Sequence, residues 1–449
     1  MAVSSVPPAP SAAPVLRPYQ AEAVDAIAAG LAAGGHGQLH AACGSGKTLM
    51  SVHAAARLVP GDGLLAVLVP SLSLVAQTLD AWRSRSRVDT VLAVCSDDTV
   101  ADAPVHLDDI DAEVTTGPAT IVRWLRREGG RRLIVGTYAS AERLSKALHA
   151  TGMRLDLLVL DEAHHLTGRP DSSTRKAVDP AFLPSRRRLF MTATSRVDAA
   201  AAMNHGYLSM DDTDLFGPVL YDYPFGRGIA EGYLTDYRLY VVGIRESEAR
   251  ALLTDPGREY VEGPGAPSLQ TLVAQAALIR AAQHHGVRRA VTFHHKVADA
   301  AEFARTLPAT VRRLAPHLPV PSTAHVHGRM DHGLRDKILD GLRNPPAGAW
   351  SAVFNARCLG EGVDVPAIDA VLFAHPKTSG VDIVQALGRA LRPHPDATGD
   401  SVVIVPITVP EEDGEIGDLR SRIGRRTANS RPPGRADASA AGADAHRRG

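Results

Sequence analysis

Residues 41–48 run Ala-Ala-Cys-Gly-Ser-Gly-Lys-Thr, and no other stretch limits the possible folds so narrowly. Gly44 and Gly46 let the backbone turn tightly and come close to a ligand, so that successive N–H groups converge on an anion at the N-terminus of the following helix. The pattern is that of a phosphate-binding loop, with Ala41 in place of the usual first glycine. Such a loop needs a strand before it and a helix after it. The sequence supplies a short strand at 38–40 and an apolar helix pattern at 49–58. In that setting Lys47 reaches the β- and γ-phosphates and Thr48 offers its hydroxyl to Mg²⁺. A glycine-rich turn without a ligand is the plainer reading of these eight residues alone, and the rest of the chain decides between the two.

Strand and helix patterns alternate from 38 to 194, as in a doubly wound sheet. Apolar runs at 64–70, 133–138, 155–160 and 188–191 have the length of parallel strands buried on both faces. The run at 155–160 ends in Asp161-Glu162-Ala163-His164. Paired carboxylates there sit at the carboxyl end of a parallel strand, where open α/β sheets bind ligands. Asp161 can hold Mg²⁺ through water, and Glu162 can take the proton of an attacking water. Ahead of the loop, Leu16-Arg17-Pro18-Tyr19-Gln20 opens an Ala-rich helix pattern through Leu31. The Gln20 amide both donates and accepts, so it can pair with an adenine edge, a polar helix-start residue being the plainer alternative.

Residues 97–113 are acid-rich and 123–132 carry five arginines around Trp124; both stretches read as solvated loop or helix faces. Residues 205–240 lack periodicity and read as a connector. A second series begins near 269, with strands at 290–294, 324–327, 352–355, 370–374 and 401–406, and helices at about 270–284, through Leu307, at 333–343 and at 381–391. It has no second phosphate loop.

At 449 residues the chain exceeds one ordinary domain. Its 49 basic and 49 acidic residues balance, so contact with a polyanion must come from local patches. Cys43, Cys95 and Cys358 lack metal-ligand or disulfide spacing, which suits a reducing compartment. With no run of 18 apolar residues and no signal peptide pattern, a cytoplasmic protein without a membrane partner is expected.

In their order these motifs resemble those of the superfamily 2 DEAD/DEAH-box helicases, in particular the bacterial restriction-type branch (type III restriction Res-subunit-like) related to helicase-associated-domain proteins. Residues 16–20 are similar to the adenine-sensing region, 41–48 to motif I, 69–77 to Ia, 135–138 to Ic, 161–164 to motif II as DEAH, and 192–194 to III. In the second half, 291–295 resembles motif IV, 359–366 motif V, and 385–392 the Gln-x-x-Gly-Arg-x-x-Arg of motif VI.

The resemblance implies an α/β fold of two tandem RecA-like domains, each a mostly parallel sheet flanked by helices. They would occupy 15–220 and 266–412, joined by a connector at 221–265, with disordered ends at 1–14 and 413–449. ATP would lie between the lobes with Mg²⁺. The nucleotide contacts so implied are Arg17, Gln20, Ala41, Ala42, Cys43, Gly44, Ser45, Gly46, Lys47, Thr48 and Asp364, with Thr48 and, through water, Asp161 on the metal. The catalytic set so implied is Lys47, Asp161, Glu162, Gln385, Arg389 and Arg392. The expected function is an ATP-dependent DNA helicase or translocase. Alternatives are a nucleic-acid-stimulated ATPase switch without processive unwinding, an RNA helicase, and a noncatalytic remnant, against which intact Lys47, Glu162 and Arg389 argue. DNA is preferred because Thr192-Ala193-Thr194 and Gly362-Val363-Asp364-Val365-Pro366 resemble the restriction and repair branch. Gly360 stands where relatives often carry a hydroxyl residue, and an Arg-rich tail stands where they continue into helical domains, as in a short or truncated form. A protein partner and the oligomeric state stay open.

If Arg389 reaches the γ-phosphate, Arg389→Ala will cut ATP turnover about 10³-fold or more while leaving ATP binding nearly intact. Steady-state hydrolysis beside nucleotide titration checks this, and near-normal turnover contradicts it.

Overall fold

Strands that are apolar on both faces are stable only between two layers of helices, and the two series of such strands build two parallel sheets. The computed structural model describes residues 16–95, 112–168, 175–195, 197, 207–234, 236–251, 267–328, 330–356, 368–374 and 401–409. The first series runs α1 (Pro18–Gly30), β1 (Gly35–Ala41), α2 (Lys47–Leu58), β2 (Gly63–Val69), α3 (Leu72–Arg85), β3 (Thr90–Val94), β4 (Glu113–Thr115), α4 (Pro118–Leu125), β5 (Arg131–Thr137), α5 (Ala141–Thr151), β6 (Leu157–Leu160), β7 (Arg187–Thr192), α6 (Thr213–Phe216), β8 (Val219–Tyr223) and α7 (Phe225–Ala230). The second runs β9 (Tyr237–Arg245), α8 (Glu246–Ala251), α9 (Leu269–His285), β10 (Arg289–His294), α10 (Val297–Leu314), β11 (Ser322–His327), α11 (His332–Arg343), β12 (Ser351–Ala356), β13 (Ala370–Phe373) and β14 (Ser401–Val409). Among the described residues the strand orders are β4-β3-β5-β2-β6-β7-β1-β8 and β11-β12-β10-β13-β14-β9. Every pairing between named strands is parallel.

Alternation along β2 shows how each sheet is covered. Leu65, Val67 and Val69 enter one core with Tyr19, Met50 and Trp82 of α1–α3, while Leu64, Ala66 and Leu68 enter another with Trp124 of α4 and Leu144 of α5. Each such fully buried Val, Leu or Met side chain contributes roughly 1.5–3 kcal/mol relative to exposure. The second sheet repeats the scheme, with Ala352 and Phe354 facing α9 and α10, and Val353 facing Leu339 and Leu342 of α11. Among the described residues no helix is long and apolar enough to cross a membrane.

Helices run antiparallel to the strands they connect, so their C-termini gather at the amino edge of the sheet. Arginines at the strand starts donate to carbonyls at those helix ends. Arg131 Nη2 donates to Ala55 O at 3.2 Å, Arg132 Nη1 to Leu125 O at 2.6 Å, Arg187 Nε to Leu31 O at 2.8 Å, and Arg289 Nε to Arg343 O at 3.2 Å. Arg188 donates to the carbonyls of Ala177, Val178, Asp179 and Leu183, and burial pushes its guanidinium down to about 10. The arginine-rich stretch 123–132 is therefore not simply a solvated face: Trp124 and Arg131 are buried.

The stretch expected to be a connector supplies an edge strand to each sheet. Strand β8 pairs with β1, and β9 pairs with β14 from Ser401↔Tyr237 to Val409↔Arg245. Edge strands face solvent on one side and need no continuous apolar run; Tyr237 and Leu239 are exposed. The helix expected through Leu307 continues past Pro308 to Leu314. The expected helix at 381–391 and both chain ends lie outside the described residues, as does most of the acid-rich stretch.

Gly217, with φ +76°, leads into β8, and a Cβ there would meet His36 O at 2.3 Å. Gly35 has φ +95° but open space around it. Gly35→Ala should cost only the left-handed strain of about 1–2 kcal/mol, whereas Gly217→Ala must also move backbone and should cost visibly more. Denaturant midpoints of the two variants check the order, and equal midpoints would contradict it.

Candidate active site

Strand β1 delivers the glycine-rich loop to the carboxyl edge of the first sheet. Ala42 N donates to Tyr223 O at 2.9 Å and Ser45 N to Ala42 O at 3.2 Å, which closes the turn. Gly44 and Gly46 take the left-handed conformation, φ 79° and 89°. Gly46 is the N-cap of α2, its carbonyl accepting from Met50 N at 3.0 Å. The buried Lys47 places Nζ 3.3 Å from Ala41 O. An ammonium beside a helix N-terminus is a place for an anion. Thr48, half-buried, comes next on the first turn, and Ala41, Ala42 and Cys43 are buried in the loop.

Gln20 lies against this loop. Its Oε1 accepts from Arg17 N at 2.9 Å and its Nε2 donates to Ser45 O at 2.8 Å. One amide hydrogen and one lone pair remain for a base, so the amide first serves the loop. A Cβ on Gly46 would lie 2.6 Å from Gln20 Nε2, which is a second reason for glycine there.

Strands β6 and β7 bring the carboxylates and the Thr-Ala-Thr segment to the same edge. Glu162 has φ 49° and ψ 48°, the one positive-φ non-glycine among the described residues. Such strain costs of order 1–3 kcal/mol and is typical of functional sites. Two bonds hold the turn: Glu162 N donates to Asp161 Oδ1 at 2.9 Å, and the Tyr138 hydroxyl to Asp161 O at 2.5 Å. Glu162 is 8% exposed, and its buried Oε2 has no hydrogen bond although His164 Nδ1 lies 3.5 Å away. His164 Nδ1 is also 3.1 Å from Thr192 Oγ1, which donates to Thr194 O at 2.9 Å. Glu162, His164, Thr192 and Thr194 thus form one chain of polar neighbours across β6 and β7.

Among the described residues no three His, Cys, Asp or Glu gather around a metal position. An ion beside Thr48 and Asp161 would draw its other ligands from water and phosphate oxygens, the habit of Mg²⁺. Asp364, Gln385, Arg389 and Arg392 lie outside the described residues, together with motifs V and VI.

Sequence reasoning missed an aromatic and ionic cluster beside the loop. Tyr19 stacks on Tyr223, with centroids 4.0 Å apart and planes at 10°, and Tyr233 lies 5.0 Å from Tyr19 with Arg17 Cζ 4.9 Å over it. Arg227 donates to Glu231 Oε1 at 2.7 Å, to Glu22 Oε2 at 2.9 Å and to the Tyr221 hydroxyl at 3.0 Å. Burial first, then the bond to Glu22, pushes Tyr221 up to about 12. The signal was the run of tyrosines at 221, 223 and 233, which has no secondary-structure period.

Residues 13–197 match the family described as "Type III restriction enzyme, res subunit", and 273–394 match "Helicase conserved C-terminal domain". The chain is 29% identical over 406 residues to the "Probable helicase A859L" of African swine fever virus, covering 88% of this chain and 41% of that protein. It thus spans about two-fifths of the length of the curated relatives it matches. Among solved structures, the ATP-dependent Type ISP restriction-modification enzyme LlaBIII bound to DNA superposes with TM-score 0.76 and 26% identity, over 90% of this chain and 28% of that one. A nuclease-deletion mutant of the Type ISP enzyme LlaGI, in complex with a DNA substrate mimic, gives 0.62 and 26%, over 88% and 27%. The Pyrococcus furiosus Hef helicase domain, at 14% identity, shares the fold with TM-score 0.52 over 90% of this chain and 97% of that domain.

His40, on the strand that feeds the loop, has Nε2 2.9 Å from Gln38 Oε1, and burial lowers its pKa from the ordinary 6.5 against the opposing pull of Asp222. The unfolded chain therefore takes up this proton first as pH falls, so stability is full above about 6.5 and declines below it. Melting curves from pH 7.5 to 5 should show a shallower decline for His40→Gln than for the wild type; parallel curves would contradict this.

Proposed function

We propose that the chain is a restriction-type superfamily 2 helicase, an ATP-driven motor that translocates along or unwinds DNA. One observation carries the chemistry. A left-handed glycine loop with a buried lysine and a strained, buried carboxylate emerge from the same edge of one parallel sheet, the first suited to phosphates and the second to a water beside them. The loop amides and Lys47 would bind the phosphate chain, and Glu162, whose Oε2 lacks a hydrogen bond, would accept the proton of the attacking water. Mg²⁺, held through Thr48 and Asp161, supplies charge neutralisation on the phosphates when bound. His164, between Glu162 and Thr192, would orient that carboxylate and tie its position to the Thr192–Thr194 turn. Arg389, Arg392 and Gln385 would complete the site from the second domain. The choice of DNA rests on the Type ISP likenesses, both of which are DNA complexes.

The test is ATP hydrolysis measured in parallel with no nucleic acid, single-stranded DNA, duplex DNA and RNA, together with displacement of a DNA-bound roadblock. DNA-stimulated turnover with displacement is expected. Stimulation without displacement would instead favour a clamp-like ATPase, and stimulation by RNA alone would overturn the choice of DNA. Glu162→Gln should bind ATP and Mg²⁺ with near-normal affinity while turnover falls about 10²-fold or more, because an amide cannot take the proton.

A further inference from the structure

Two donors converge on a single backbone oxygen of the glycine loop. The Tyr19 hydroxyl and Gln20 Nε2 each donate to Ser45 O at 2.8 Å. A trans peptide is planar, with its C=O and N–H directed to opposite sides. A Ser45 carbonyl drawn toward α1 therefore turns the Gly46 N–H of the same peptide away from α1, toward the phosphate side of the loop. Glycine offers little steric resistance to rotation of the peptide preceding it. Something other than sterics must hold this one.

We propose that Tyr19 is a positioning residue for phosphate binding, a latch whose hydroxyl, with the Gln20 amide, fixes the Ser45–Gly46 peptide in its anion-binding orientation. The proposal rests on reading residues 41–48 as a nucleotide site. Tyr19 is 1% exposed and held flat on Tyr223, so its hydroxyl has no freedom to leave the carbonyl. Gln20 is pinned at its other end by Arg17 N. Tyr223 and Tyr233 belong to the segment that leads into β9 of the second sheet, and Arg227 of that segment bonds Glu22 on α1. The orientation of a phosphate-binding amide is thereby tied to the chain linking the two sheets.

Tyr19→Phe keeps the ring and its stack and removes only the hydroxyl. With the full chain and Mg²⁺, calorimetric titration should show the Kd for ATP and for inorganic pyrophosphate both rising about tenfold, the loss expected for one buried hydrogen bond. The KM for ATP should rise with them, while kcat at saturation stays within about twofold and the melting temperature falls by no more than a few degrees. Because the two donors share one carbonyl, the double variant Tyr19→Phe/Gln20→Ala should bind pyrophosphate more weakly than either single variant. Should Tyr19→Phe unfold, Gln20→Ala, which leaves the rings in place, carries the same pyrophosphate comparison. Pyrophosphate affinity unchanged in the variant, with or without weaker ATP binding, overturns the latch and leaves the nucleotide site standing. A wild type that binds neither ligand, or binding that survives Lys47→Ala undiminished, overturns the site and the latch with it.

Discussion

Parallel pairing of β7 between β1 and β6 is the constraint on which everything else in the first domain depends. Because all three strands run the same way, their succeeding segments must emerge at one edge: the glycine loop after β1, the acidic pair after β6, and the Thr-Ala-Thr segment after β7. No loop has to reach across the sheet. Antiparallel pairing at either junction would send one of these segments to the opposite edge. The buried apolar runs that enforce the pairing therefore also place the chemistry.

The same arrangement separates charge by edge. At the carboxyl edge, α2 presents its N-terminus over the loop, and buried acidic and polar groups gather beside it. At the amino edge the helices end, and Arg131, Arg132, Arg187 and Arg289 donate to carbonyls at those ends. Guanidinium groups there are favoured by the negative end of the helix dipole and leave few donors for a partner. Counting arginines therefore overstates the charge this chain can offer to a polyanion. Placement decides it.

Much of this was legible in the sequence, and for identifiable reasons. Residues 41–48 and 161–164 are local: their spacing alone fixes a turn and a strand end, and the structure finds both where the spacing puts them. Central strands were legible because burial on both faces demands unbroken apolar runs. The edge strands β8 and β9 obey no such demand and looked like linker. Tyr19 was hidden for another reason: its role depends on Ser45, 26 residues away, and on Tyr223, at the end of the last strand of the first sheet. No local pattern encodes contacts of that range. The continuation of α10 past Pro308 was missed because proline is normally read as a stop, a propensity that tertiary packing overrode here.

Glu162 shows what this construction means for anyone who engineers the protein. Its backbone sits where glycine or asparagine would rest with little strain, and its buried carboxylate oxygen has no hydrogen bond. On thermostability criteria alone the position looks like a flaw to be repaired. Consensus-free redesign, or passage under heat selection without a demand for turnover, would push it toward a smaller neutral residue. Robustness and chemistry draw on the same few degrees of rotation at this one α-carbon, and a variant library scored by melting temperature would discard the residue that the proposed reaction most needs.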